Sequence, residues 1–196
     1  MSTAYFILFT VYTTIVVSLI WARLRFFEVS DRSSRVGSYF YDPAVAAQML
    51  CTYYYILYGE TKPIVPVWIA IIFYCISLAL FWWAIITAKR LNFAYGTHVG
   101  IIITTGPYSI FRHPFYVSYI LIWSISSLLF NSIVLWITLL FLIAFYLTAA
   151  RLEERAIMEG RYAQAYTSYK SQTGMFFPRM NQWTSWLLRL LRTKKA

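Results

Sequence analysis

The sequence predicts an all-α, polytopic membrane protein of about five transmembrane helices. A helical hairpin spans 115–150, and amphipathic helices follow at the cytoplasmic C-terminal end. Three observations carry this. Of the 196 residues, 60% are hydrophobic and only 12% are charged, against about 25% charged and 45–50% apolar in soluble domains. Mean hydropathy is +0.60 for a 23.0 kDa chain, which has too little interior to hide such a surplus. The charges are also segregated, leaving long uncharged runs at 1–22, 43–59, 64–88 and 115–150. A soluble, disordered, collagen-like or disulfide-built chain is thereby excluded.

Each run is then read as an element. A crossing helix needs about 20 apolar residues for roughly 30 Å of hydrocarbon. Residues 1–22 suffice, and lack the basic start and short apolar core expected of a cleaved signal peptide. The run 43–59 is the weakest, short and loaded with Tyr53, Tyr54, Tyr55 and Tyr58, so a partial or tilted element also fits. Residues 64–88 form the third span. The run 115–150 would reach about 54 Å as one helix at 1.5 Å per residue, so it must turn. Asn131-Ser132 is the polar pair near its middle, predicting helices over 115–130 and 133–150.

Orientation follows from the bias of Lys and Arg towards cytoplasmic loops. Of 17 such residues, all but Lys62 fall on one side of these spans. The N-terminus is expected outside and the C-terminus in the cytoplasm. The net charge of +10 therefore reads as topology, and no nucleic-acid partner is expected. Cys51 and Cys75 lie within spans and read as small apolar fillers. Residues 1–88 form an N-terminal set of helices, and 89–196 a half whose two polar segments, 89–114 and 151–196, meet the membrane.

Those segments are where chemistry is expected. In Gly106–Tyr116, Gly-Pro marks a turn and Pro114 suits the first position of a helix. This sets Arg112 and His113 at a helix N-terminus, where an anion can dock; an interfacial arginine and a capping histidine fit equally. Leaving the hairpin, Glu153 and Glu154 stand among Arg151 and Arg155. Carboxylates near a bilayer are costly and often functional. Neighbours on a helix differ by about 100°, so the two face different partners: a ligand's ammonium or ribose for one, Arg151 or Arg155 for the other. A solvated helix end with local ion pairs is the plainer alternative. Tyr162, Tyr166 and Tyr169 follow helical spacing, as do Trp183, Trp186, Leu187, Leu190 and Leu191, whose basic neighbours suit anionic lipid or a partner protein. The sequence holds no HExxH, CxxC, GxGxxG, Walker or GxSxG pattern, so no metal site is expected.

Together, TGPYSIFRHPFY at 105–116, the apolar hairpin, RLEERA at 151–156 and GRYAQAYTSYKSQTGMFFPR at 160–179 resemble the isoprenylcysteine carboxyl methyltransferases and the related phospholipid methyltransferases. The likeness covers roughly the C-terminal half, with Ser118 near the place where such proteins often carry a glycine. It implies a helical membrane enzyme that transfers methyl from S-adenosylmethionine to a lipophilic acceptor, a prenylcysteine-like carboxylate or a phospholipid amine. It further implies that Tyr108, His113, Tyr116, Glu153 and Glu154 hold the cofactor, and that Arg112 and Arg151 serve catalysis near the acceptor. An NADPH-dependent membrane reductase of the steroid-reductase type, with a similar RHP turn, and a non-enzymatic scaffold are the competing readings.

Overall fold

A computed structural model describes residues 2–25, 32–59, 63–90 and 102–179. Among these residues the fold is helical throughout. It comprises α1 (Thr3–Arg25), α2 (Arg32–Tyr58), α3 (Val67–Arg90), α4 (Pro114–Phe130), α5 (Ile133–Met158) and α6 (Ala163–Gln172), with a 3-10 turn at Gly106–Ser109. α3 packs along α4, α2 along α5, and α1 along α3, while α6 folds back on the end of α5. The Trp183–Leu191 segment, expected to be an amphipathic helix, lies outside the described residues.

Helices thus lie over each of the five runs expected to span. Three of them, Thr3–Arg25, Val67–Ala88 and Ile133–Met158, are long and apolar enough to cross a membrane by length and composition. α4 is shorter, at 17 residues. α2 differs most from expectation, because it starts at Arg32 and carries Pro43 inside it rather than at its start. Its tyrosines, Gln48 and Asp42 dilute its apolar character, and the charge of Asp42 is met by Arg23 of α1 at 3.3 Å.

The bundle is apolar outside and partly polar inside. On α3, Trp68, Ile72, Ile76, Trp83 and Ile86 face outward, while Tyr74 and Ser77 are fully buried. Cys75 is also exposed on this outer face, not packed as a core filler. Between lipid-facing helices apolar burial gives little drive, so packing and interhelical hydrogen bonds, about 0.6 kcal/mol each, set the pairing. Each main contact has one. Tyr53 donates to Thr13 (3.1 Å) between α2 and α1, and Trp82 to Ser18 (3.2 Å) between α3 and α1. Gln48 donates to the Leu135 carbonyl (2.8 Å) between α2 and α5. Ser77 donates to the Ser118 carbonyl at 2.6 Å. Ser118 is fully buried and turns its hydroxyl back to Phe115 O, which keeps it compatible with the close α3–α4 approach.

The hairpin turns at the expected pair. Asn131 adopts the left-handed conformation (φ 48°, ψ 39°) as the α4 C-cap, and its side-chain oxygen accepts from Trp136 Nε1 at 3.1 Å. Asn131→Val is expected to lower stability by about 1–2 kcal/mol, since a Cβ-branched residue is strained there, whereas Asn131→Gly should lose only the tryptophan bond. Thermal unfolding of the two variants in detergent checks this ordering.

Candidate active site

The site forms where the turn before α4, the last turns of α5 and the segment after α6 converge. Gly106 sits at φ 59°, which a glycine adopts without strain, and leads through Pro107 into the 3-10 turn. Pro114 then opens α4 from His113, which occupies the N-cap position without a side-chain capping bond. The chain ahead of α4 runs parallel to the chain after α6, bridging Phe111 to Gly174. Arg112 N donates to Gly174 O (2.8 Å) and His113 N to Met175 O (3.3 Å). These two amides are thus taken up by backbone carbonyls, and the anion dock expected there does not include them.

α5 continues past its apolar stretch, carrying Glu153 and Glu154 on its last turns. Glu154 points inward, with its side chain 3% exposed. Its Oε1 receives Arg112 Nε at 2.7 Å and His113 Nε2 at 3.3 Å, while its Oε2 receives Lys170 Nζ at 2.9 Å. Arg112 also donates to the carbonyls of Lys170 and Thr173. Arg112 is therefore neither an interfacial anchor nor open to an acceptor: at 6% exposure it is buried in a clasp joining α4, α5 and α6. A buried carboxylate is tolerable when its lone pairs meet charged and hydrogen-bonding donors, and this one meets Arg112, Lys170 and the His113 ring.

Glu153, about 100° round the helix, is half exposed. It accepts from the Tyr116 hydroxyl and lies 3.4 Å from His113 Nδ1. The His113 ring therefore stands between both carboxylates, and a neutral imidazole can donate to one of them at a time. Tyr116 stacks on His113 with ring centres 5.5 Å apart, and Phe176 meets both rings edge-on. Tyr108 is buried beneath, packed among Phe81, Ile85 and Ile103, with its hydroxyl in electrostatic reach of Glu153. Its carbonyl accepts from Tyr169 at 2.6 Å. Burial pushes the Tyr166 and Tyr169 hydroxyls up, keeping both as neutral donors.

Six of the seven expected site residues thus gather in one place: Tyr108, Arg112, His113, Tyr116, Glu153 and Glu154. Arg151 does not join them. It is exposed on the α5 surface, and among the described residues neither it nor Arg155 pairs with a glutamate. The partners of Glu154 come instead from α6 and the turn before α4. Sequence reasoning missed Lys170, Thr173, Gly174 and Phe176. Lys170 had counted only as a cytoplasmic charge, although its helical spacing from Tyr166 was available as a signal.

Gly174 is a sharp test of this arrangement. A Cβ there would lie 1.7 Å from Phe177 O and 2.9 Å from Phe177 C, both backbone atoms that cannot swing aside. Gly174→Ala is expected to cost about 3 kcal/mol, at the upper end for overpacking, and to open the 173–177 turn. Amide hydrogen exchange at Arg112 and His113 should then lose its protection; unchanged protection would contradict the assignment.

The profile of the phospholipid methyltransferase family matches residues 65–165, from the start of α3 to the first turn of α6. No curated protein and no solved structure matches the chain.

Proposed function

The chain belongs to the phospholipid methyltransferase family, and on that premise we propose that it transfers methyl groups from S-adenosylmethionine to the amine of a membrane phospholipid. The observation that carries this is Glu153, a half-exposed carboxylate oriented by Tyr116 and His113 beside a closed, buried clasp. Such a set fits the donor's chemistry. The carboxylate suits an ammonium or ribose hydroxyls, and the ring of Phe176 suits a cationic sulfonium. Tyr108 lines the same side, and Glu154 acts from beneath through His113.

When bound, S-adenosylmethionine supplies an activated methyl, released as the sulfonium becomes a neutral thioether. The chain's own residues align and exclude water, an effect that can supply roughly 7–11 kcal/mol. The acceptor nitrogen forms the new bond to carbon, and an ammonium must shed its proton first. His113, flanked by two carboxylates, is suited to receive it. Arg112 contributes by holding Glu154 and, through it, His113. Arg151, being exposed, remains available to a headgroup at the surface.

A soluble donor then enters from the cytoplasm and the lipid from the side. The placement of all Lys and Arg but Lys62 on one side supports a cytoplasmic site and an outside N-terminus. A reporter in the Lys62 loop should be non-cytoplasmic. Calorimetry of purified protein tests the donor: saturable S-adenosylmethionine binding is expected, whereas binding of NADPH alone would favour the reductase. Labelled-methyl transfer to membrane lipid extracts, followed by identification of the product, tests the acceptor.

A further inference from the structure

Beyond the matched region, α1 and α2 bring one ion pair to the flank of this site. Arg23 lies 3.3 Å from Asp42 Oδ2, and both side chains are about half exposed. Tyr41, beside Asp42, stacks on Phe145 with ring centres 4.8 Å apart, and its hydroxyl meets that of Tyr146 at 3.3 Å. The Tyr146 ring stacks in turn on Tyr116 at 5.2 Å, whose hydroxyl donates to Glu153. A continuous line of tyrosine rings therefore leads from the Arg23–Asp42 pair to Glu153. The charge of Arg23 reaches the Tyr41 and Tyr119 hydroxyls of the same wall.

The pair lies just outside the uncharged runs and is half exposed, where an arginine head can meet a lipid headgroup while its stem lies along apolar surface. Arg23 spends one terminal nitrogen on Asp42, while a guanidinium has five donors in a planar fork. The remaining donors match a phosphate, which arginine binds bidentately. The rings between form a packed wall, with Tyr146 1% exposed and Tyr116 stacked on both His113 and Tyr146. The order is thus phosphate at Arg23 and amine across this wall, on the side of Glu153.

We propose that Arg23, positioned by Asp42, is the phosphate subsite for the acceptor headgroup, so that the N-terminal helices select a phosphate-bearing amine lipid. This rests on the methyltransferase reading. It is tested by binding, with turnover left aside. Purified protein in detergent is titrated with dihexanoyl phosphatidylethanolamine and with the same diacylglycerol carrying an ethanolamine ether in place of the phosphoethanolamine.

The wild type should bind the phospholipid about ten- to hundredfold tighter than the phosphate-free lipid, the range for a charge-assisted bond. Arg23→Gln should bind both lipids equally weakly. Asp42→Asn should weaken the phospholipid alone, by a smaller factor. A wild type without preference, or an Arg23→Gln variant that keeps it or loses both lipids by the same factor, overturns the proposal. The last of these outcomes marks a purely structural ion pair. If Arg23→Gln does not fold, Arg23→Lys serves: its preference should shrink for want of the planar fork, and an unchanged preference overturns the proposal. S-adenosylmethionine calorimetry on the wild type separates the two readings. A chain that prefers phosphate but binds no donor keeps the subsite and loses the methyltransferase function.

Discussion

Replacing Glu154 by alanine is expected to release α6 and the 172–179 segment from the end of α5 and to abolish donor binding. Removing one partner of a buried, hydrogen-bonded ion pair costs about 3–5 kcal/mol, because the remaining charge is left uncompensated. The Arg112 side chain, 6% exposed, would be that charge. Lys170 is 40% exposed, so its contribution is screened and adds little. Against a total stability of about 5–15 kcal/mol for an ordinary domain, the clasp would open locally while the bundle, held by α3–α4 and α2–α5 contacts, persists. Hydrogen exchange should show residues 163–179 deprotected and α3–α4 unchanged. Glu154→Gln keeps the shape and one acceptor oxygen and should fall between. Native protection in the alanine variant would mean that the clasp does not hold the site together.

Glu153→Gln is expected to do the opposite: little change in stability and a large loss of donor affinity. Its side chain is 51% exposed, so the fold gains little from it. A bond between a carboxylate and a ligand's charged group, lost on neutralisation, weakens binding about ten- to hundredfold. Calorimetry with S-adenosylmethionine measures that directly, and unfolding in detergent should show the wild-type midpoint. Tyr116→Phe removes the hydroxyl that orients Glu153 and should lose less, since the carboxylate itself remains. A Glu153→Gln variant with wild-type affinity would move the donor away from this carboxylate.

The two glutamates show what was readable in advance and what was not. Their separation round the helix was legible, since 3.6 residues per turn forbids neighbours from sharing a face. Their importance was legible from the cost of charge at a bilayer. Which partner each would meet was not. Arg151 and Arg155 were the natural candidates by proximity in sequence, yet both point to solvent. The charges that reach Glu154 come from 42 residues before it and 16 after it. Arg112 changed character most: a surface residue by position, it is buried because the end of α6 and the chain after it close over it with the Lys170 and Thr173 carbonyls. The start of α2 was misplaced for a related reason. Pro43 and Asp42 read as a boundary, but Arg23 across the helix interface meets the charge, and the helix runs through.

By itself the sequence determined the helices and the hairpin. In hydrocarbon every backbone amide must be satisfied within its own segment, so an uncharged run of sufficient length has one structure, and a run too long for the bilayer must break at its polar pair. It also marked the turn before α4 and the paired carboxylates as places of chemistry. Only the tertiary structure decided that Glu154 is buried among Arg112, His113 and Lys170 while Glu153 stays half exposed, and that Arg23 meets Asp42. Helix formation is governed by neighbours a turn apart. The state of a charge is governed by whichever groups the packed chain brings within a few ångströms, and those come from segments far apart in sequence.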